Sequence, residues 1–262
     1  GVTSSPRWMF AENYRYEGIF LEAARMVASG KLGTIIKMDV VCDLGMNPAN
    51  KYYSSQWRRD AECPGGQIME SSVHFIAALR LLAGAGGANV AKQVTASSSH
   101  VRPDLSNPDT LVGMVVFTSD QVAHPSQPPN TFPATVSISL AATQVKVSFS
   151  VLGTLGSLEV QRGGWDGNRF TYTLRSQCEG DEKPQVQQMG FSGVQREFKT
   201  FLDLVSGGEG PPDARSAPEE GARDLSIVEA MLRSAEQGGP VVPRVIESVP
   251  YISRAEHEHQ YC

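Results

Sequence analysis

Five segments between residues 90 and 176 alternate apolar and polar residues with a period of two. This alternation is typical of half-buried β-strands. Turn residues separate the segments, and connections this short exclude the long crossovers that parallel strands need. The segments are VAKQVTASSSHV, TLVGMVVFTS, ATVSISLAATQVKVSFSVLG, GSLEVQRG and NRFTYTLRS. The sequence therefore predicts a meandering, mostly antiparallel sheet.

Helical patterns precede and follow this predicted sheet. Apolar residues at helical spacing predict a helix from Glu17 to Ser29, and another after the entry Pro64-Gly65-Gly66. Two further helices close the chain, in SGVQREFKTFLDLVSGG and PEEGARDLSIVEAMLRSAEQGG. RWMFAENYRY and TIIKMDVVCDL are predicted as additional strands. The predicted fold class is α/β (α+β), with a large open sheet covered by helices on one face.

Charge and cysteine usage limit the partners of the chain. The net charge of -5 argues against nucleic acid, because phosphate binding needs a basic face. No uninterrupted apolar run approaches a membrane span, and no signal peptide is visible, so no membrane partner is expected. Four scattered cysteines without a CxxC pair favour a reducing intracellular compartment, cytoplasmic or organellar.

The segment GGQIMESSVH contains a candidate acid–base pair. Glu70 and His74 are four residues apart and therefore lie on one face of the predicted helix. A carboxylate beside an imidazole orients the ring and raises its pKa toward working pH. Gly65 and Gly66 let the backbone approach a ligand closely. The alternative interpretation is an ordinary helix-surface interaction.

Other polar residues are candidates for binding. Arg58 or Arg59 could clamp a hydroxyl, a carboxylate or a phosphate, or both could be solvated. Asn13 and Arg15 share a face at the end of the first predicted strand, where they could line a cleft or form a hydrogen-bond network. His257 and His259 form a His-x-His tail, but terminal polar tails are usually disordered, so no metal site is expected.

The order of motifs resembles a known enzyme family. NYRY, ASGKLGTIIKMDV, WRRD…PGGQIMESSVHFIAALRLLAG, VLGTLGSLEV, REFKTFLDLVSGG and EGARDLSIVEAMLRSAEQGGPVV follow one another as in the Gfo/Idh/MocA family, named after glucose–fructose oxidoreductase, inositol dehydrogenase and a rhizopine-catabolism protein. The similarity is collinear over nearly the whole chain.

The resemblance implies a domain organisation. Family members pair an N-terminal Rossmann domain, which binds NAD or NADP, with a C-terminal α/β domain whose open sheet shapes the substrate site and often forms the oligomer interface. Residues 1–30 would be the last strand and helix of a Rossmann-like domain. Residues 31–262 would be the substrate-binding and oligomerisation domain.

The resemblance also implies roles in catalysis. The family pattern Gly-Gly-x-x-x-Asp-x-x-x-His falls on Gly65, Gly66, Glu70 and His74. His74 would move the substrate hydroxyl proton while hydride passes to or from C4 of the nicotinamide. Glu70 stands where the family usually has Asp, and its longer side chain moves the carboxylate by about one methylene.

Binding roles follow from the same resemblance. Asn13 and Arg15 match the family's Asn-x-Arg, which implies a cofactor contact for Asn13 and a substrate contact for Arg15. Trp57 and Arg58 match a position that often contacts substrate, and Gly65 and Gly66 would border the same site.

Two departures from the family pattern affect the expected function. No G-x-G-x-x-G follows a strand, and the family's Glu-Lys-Pro motif is absent. The expected function is therefore the substrate-binding and oligomerising part of an NAD(P)-dependent oxidoreductase acting on a sugar-like or polyol CH–OH group. NAD or NADP is expected in the complete protein, and this chain alone is expected to bind neither and to be inactive.

The expected assembly is a homo-oligomer through the open sheet, or a complex with a partner that supplies the cofactor domain. The alternative is a non-catalytic structural or interaction subunit.

Overall fold

An open eight-stranded sheet dominates the architecture. A computed structural model describes residues 8–50, 52–53, 55–58, 65–119, 130–164, 166–206 and 213–246. The strands are β1 (Ile35–Asp43), β2 (Val90–Ser99), β3 (Thr110–Thr118), β4 (Thr131–Ser139), β5 (Lys146–Gly153), β6 (Gly156–Arg162), β7 (Thr171–Cys178) and β8 (Gln185–Gly190). Their order is β2-β3-β4-β1-β5-β6-β7-β8, and every neighbouring pair is antiparallel except β1 with β4. The mostly antiparallel sheet predicted from the alternation is confirmed.

Helices cover one face of the sheet. They are α1 (Gly18–Ala28), α2 (Gly66–Ala85), α3 (Gly193–Val205) and α4 (Pro218–Gln237). Helices α1, α2 and α4 pack with the sheet around one core that includes Phe20, Ile76, Phe149 and Ile227. The alternate strand residues, such as Asp39, face the other side of the sheet, as the period of two requires.

Helix α3 has a different environment. It packs mainly against a short 3-10 helix at Asn13–Arg15. The Glu17 carboxylate accepts hydrogen bonds from the backbone N–H groups of Ser192 and Gly193, both at 2.9 Å, and so holds the start of α3. The apolar stripe of α3 remains exposed at Val194, Phe198, Leu202 and Val205.

Two sequence expectations about strands differ from the structure. The strand predicted in RWMFAENYRY is wrong: residues 8–12 are irregular and Asn13–Arg15 form the 3-10 helix. A strand exists only when its backbone groups pair with a neighbour, and here the Phe10 N–H donates to the Ser216 carbonyl instead. Strand β8 was not predicted, because QVQQMG has too few apolar residues to show alternation.

One described helix, α2, resembles a membrane span, although no such segment was expected from the sequence. By length and hydropathy α2 could cross a bilayer, but half of its most apolar 18-residue stretch is buried inside the protein, as in core helices.

Cys42 and Cys178 are free thiols, whereas Cys63 and Cys262 lie outside the described residues. The intracellular location, the absence of a membrane partner and the domain boundary after residue 30 stay predictions.

Candidate functional site

The 3-10 helix places a buried carboxylate beside α2. Glu12 caps this helix by accepting a hydrogen bond from the Tyr14 N–H at 3.1 Å. Its side chain is only 2% exposed. A buried carboxylate needs a charged or hydrogen-bonding partner, because desolvation otherwise costs several kcal/mol. His74 is that partner.

His74 is held from two directions. Its Nδ1 atom lies 3.0 Å from Oε1 and 2.8 Å from Oε2 of Glu12. Its ring stacks on Tyr14 with centroids 5.5 Å apart and planes 18° apart. The His74 side chain is still 43% exposed, and Nε2 has no hydrogen-bond partner among the residues that the structure describes. Glu12 therefore fixes Nδ1 as the protonated nitrogen and leaves Nε2 available for chemistry.

The environment favours the protonated ring. Burial lowers the pKa of His74, but the hydrogen bond and charge of Glu12 raise it, and the charges of Glu70 and Asp224 add to that effect. The net result is a pKa above the usual histidine value. An imidazole that gains and loses a proton near neutral pH is suited to general acid–base work.

Glu70 contacts Arg58 rather than His74. Nε of Arg58 donates to Oε2 of Glu70 at 2.5 Å, and Nη2 donates to Oε1, so the pair is bidentate. The guanidinium also lies 4.4 Å from the centroid of the Trp57 ring and 4.9 Å from that of Tyr52. Trp57 is 47% exposed, whereas Arg58 is buried. Glu70, Trp57 and Arg58, which the sequence predicted as site residues, thus form one cluster at the start of α2.

The two glycines bring that cluster against α2. Gly65 and Gly66 have φ values of +73° and +43°, which favour glycine strongly. A Cβ at Gly66 would lie 2.8 Å from the Arg58 carbonyl oxygen and 2.9 Å from Ser106. The glycines therefore serve close packing of the chain on itself, and their predicted contact with substrate stays a prediction.

Arg15 and Asn13 have other partners than the imidazole among the described residues. Arg15 is buried and forms an ion pair with Asp224, which also pairs with Arg80 at 2.7 Å. This pairing joins the 3-10 helix to α2 and α4. Asn13 opens the 3-10 helix, and its carbonyl accepts a hydrogen bond from the Tyr16 N–H at 3.0 Å. The predicted substrate contact of Arg15 and cofactor contact of Asn13 stay predictions.

A separate groove does not include the imidazole. It has a volume of about 890 Å³ and lies between α2, α4 and residues 241–246. Its lining is basic, but Arg80, Arg223 and Arg244 pair with carboxylates of α4. We therefore place the candidate site at His74, whose Nε2 is available, rather than at this groove.

The described part of the chain does not fit a dinucleotide. A nicotinamide dinucleotide needs a parallel strand, a glycine-rich turn and a helix N-terminus open to the pyrophosphate. The parallel pair β1 and β4 has no such turn, and at the N-terminus of α2 the Gln67 N–H donates to Ser106 Oγ at 3.3 Å. No group of three or more potential metal ligands occurs within the same ranges, and the His257–His259 tail lies outside them.

Sequence reasoning missed Glu12. It assigned orientation of the ring to Glu70, four residues before His74, whereas the structure assigns it to a carboxylate 62 residues away. A single acidic residue among the aromatic residues Phe10, Tyr14 and Tyr16 was the available signal.

Comparisons with known proteins agree with this fold. Residues 24–242 match the sequence model of the Gfo/Idh/MocA family, described as "Oxidoreductase family, C-terminal alpha/beta domain". Dehydrogenase FPY6 of Fusarium mangiferae is 29% identical over 238 residues, which are 90% of this chain and 62% of the relative.

Solved structures give the same result. An oxidoreductase from Thermotoga maritima is 25% identical with a TM-score of 0.69, and the match covers 92% of this chain and 63% of that one. The WlbA dehydrogenase from Bordetella pertussis, in complex with NADH and UDP-GlcNAcA, is 17% identical with a TM-score of 0.66, covering 91% and 64%. The chain thus spans less than two thirds of the length of these relatives. It belongs to the Gfo/Idh/MocA oxidoreductase family and matches the family's C-terminal α/β domain.

Proposed function

We propose that this chain is the substrate-binding and proton-transfer part of an NAD(P)-dependent oxidoreductase that acts on a CH–OH group of a sugar-like or polyol substrate. The observation that carries the proposal is the anchored imidazole: Glu12 fixes Nδ1 of His74 and leaves Nε2 free on a half-exposed ring. A relative named as a dehydrogenase and a structural neighbour bound to NADH and a sugar nucleotide support it.

In this mechanism His74 moves the hydroxyl proton. During oxidation Nε2 accepts the proton of the substrate hydroxyl, and the resulting imidazolium is stabilised by the buried Glu12 carboxylate. During reduction the same Nε2–H donates the proton to the developing alkoxide. The accompanying hydride transfer requires a nicotinamide, and no part of that transfer is assigned to the described residues.

The cluster at the start of α2 would bind the substrate. The bidentate bond to Glu70 and the adjacent aromatic rings fix the Arg58 guanidinium, so a polar substrate group would meet a preorganised side chain. Trp57 presents an exposed ring beside it, which suits the apolar face of a sugar. Glu70 lies on the same helix face as His74, and its charge raises the pKa of the imidazole.

NAD(P) would bind to a different part of the enzyme. The relatives are longer than this chain, and the described residues lack a pyrophosphate site. We infer that a dinucleotide-binding domain comes from a longer form of the protein or from another polypeptide.

A direct assay tests this function. The protein together with its dinucleotide-binding domain would be incubated with NAD⁺ or NADP⁺ and a panel of sugars, sugar nucleotides and cyclic polyols, and NAD(P)H formation would be followed. We expect oxidation of at least one substrate class, lost in His74→Asn. Dinucleotide binding without turnover of any polyol would contradict the proposal.

A second candidate is a structural or interaction subunit that oligomerises through one face of the sheet. It is favoured because the described helices leave that face uncovered. Val112, Met114, Leu152 and Val186 expose apolar side chains there. Sedimentation of the wild type and Met114→Lys tests it. A monomeric wild type rules out the homo-oligomer, whereas an oligomer that Met114→Lys dissociates supports it.

A further inference from the structure

A second buried carboxyl lies beside the Glu12–His74 pair. Glu197 belongs to α3 and is only 8% exposed. Its Oε1 atom is buried and has no hydrogen-bond partner among the described residues. The backbone N–H of Glu12 and the charges of Glu12 and His74 act on the pKa of this carboxyl. A buried carboxyl oxygen without a hydrogen-bond partner lowers the stability of the fold, so its presence needs a physical explanation.

The packing of α3 fixes this carboxyl in place. Glu17 holds the first residues of α3, and a Cβ at Gly193 would lie 2.4 Å from the Asn13 carbonyl oxygen. The helix therefore cannot move away from the 3-10 helix without losing these contacts. Glu197, one turn further along α3, has to remain beside Glu12.

The charge balance of the three groups decides the protonation state of Glu197. Two carboxylates with one imidazolium would leave an uncompensated negative charge on the two buried carboxyl groups. Glu12 already accepts hydrogen bonds from His74 and Tyr14, so its carboxylate is the partner of the imidazolium. Glu70 and Asp224 face His74 from α2 and α4, but each is paired with arginine.

We propose that Glu197 is a neutral carboxylic acid at neutral pH and acts as a positioning residue that preserves a single Glu12–His74 ion pair. This inference rests on the proposed function, since it concerns the proton affinity of the proposed acid–base residue. Burial raises the pKa of Glu197 and the charge of Glu12 adds to this, against the backbone N–H of Glu12 and the charge of His74.

Substitution by glutamine tests the proposal, because glutamine resembles the neutral acid. The pKa of His74 would be measured by NMR in this chain, with the ring signal assigned from His74→Asn. We expect Glu197→Gln to change the His74 pKa by less than about 0.3 unit, and Glu12→Gln to lower it by about one unit or more. Asp203→Asn, an exposed change on the same helix, is the matched control.

The outcomes separate the two proposals. A fall of about one unit in Glu197→Gln would mean that Glu197 is ionised, and would overturn this inference while leaving the proposed function intact. An unchanged His74 pKa in Glu12→Gln would overturn both, because the Glu12–His74 pair would not exist.

Urea unfolding gives an independent measurement. An acid with a raised pKa in the folded state destabilises the fold as the pH rises above about 4.3, the unfolded value. We therefore expect Glu197→Gln to have the wild-type urea midpoint at about pH 4 and a higher midpoint at about pH 8. An unchanged or lower midpoint at the higher pH would overturn the proposal.

Discussion

Nδ1 of His74 lies 2.8 Å from Oε2 of Glu12, although 62 residues separate them along the chain. The bond joins the segment before α1 to the middle of α2. It orients the imidazole, raises its pKa and leaves its other nitrogen available. Both the proposed chemistry and a measurable pH dependence of stability follow from this one contact.

Replacing Glu12 by Gln should change how stability depends on pH. Because the folded His74 pKa lies above the unfolded value, the protonated ring contributes stability fully below about pH 6.5, and this is lost as the pH rises through the folded pKa. Wild-type stability should therefore fall as the pH rises from about 6 through the folded pKa of His74, and Glu12→Gln should show a flatter profile. Urea midpoints across this range measure it. Parallel profiles would contradict the assignment of Glu12 as the source of the shift.

Replacing His74 by Asn should separate catalysis from cofactor binding. In the complete enzyme we expect turnover to fall by about 10²–10⁴-fold, the usual contribution of general acid–base catalysis. NAD(P)H affinity should stay nearly unchanged, because the described residues around His74 do not form a dinucleotide site. Steady-state kinetics and fluorescence titration measure the two quantities. An equal loss of cofactor affinity would refute the acid–base role.

The Arg58–Glu70 pair should show energetic coupling. Arg58→Ala and Glu70→Ala, alone and combined, form a double-mutant cycle in the free energy of unfolding. We expect a coupling of about 1 kcal/mol, because the pair is bidentate but the Glu70 side chain is about one third exposed. The exposed Lys199–Asp203 pair of α3 is the reference, with an expected coupling of about 0.3–0.5 kcal/mol. Coupling no larger than the reference would show that solvent screens the pair.

Local patterns were sufficient to predict most of the sheet and the helices. Strands β2 to β7 bury alternate residues, so their periodicity is visible in the sequence. Strand β8 was missed because it pairs only with β7 and has few buried residues. The first predicted strand failed because aromatic content alone does not supply a pairing partner.

The candidate site was less predictable, since it depends on long-range contacts. Helical spacing placed Glu70 near His74, but Arg58 attracts the Glu70 carboxylate away. Glu12 reaches the imidazole because the 3-10 helix packs against α2, and α3, which carries Glu197, packs against the same 3-10 helix. Glu12 stands among aromatic residues in the sequence, but no local feature identifies His74 as its partner, and no local pattern marks Glu197 as buried.

Asp224 should be one of the most sensitive positions in the protein. It pairs with Arg15 and Arg80, and its side chain is almost fully buried. Asp224→Asn leaves the buried Arg15 guanidinium without its charge partner and Arg80 with Glu220 alone, so we expect a loss of about 3 kcal/mol or more in unfolding free energy. Asp203→Asn, on exposed α3 surface, should change stability by less than about 0.5 kcal/mol. Similar effects of the two substitutions would contradict a structural role for the buried cluster.

Two glycines of α2 should respond to alanine in opposite directions. Gly66 has φ = +43°, and a Cβ there would lie 2.8 Å from the Arg58 carbonyl oxygen, so Gly66→Ala combines backbone strain with a clash. We expect a loss of about 1–3 kcal/mol in unfolding free energy. Gly84 lies on the exposed side of the same helix, and a Cβ there would meet no other atom within 4 Å, so Gly84→Ala should stabilise by about 0.5–1 kcal/mol through helix propensity. Denaturant unfolding of both variants measures the difference. If Gly66→Ala were as stable as wild type, the close approach of Arg58 to the start of α2, and with it the proposed substrate cluster, would be wrong.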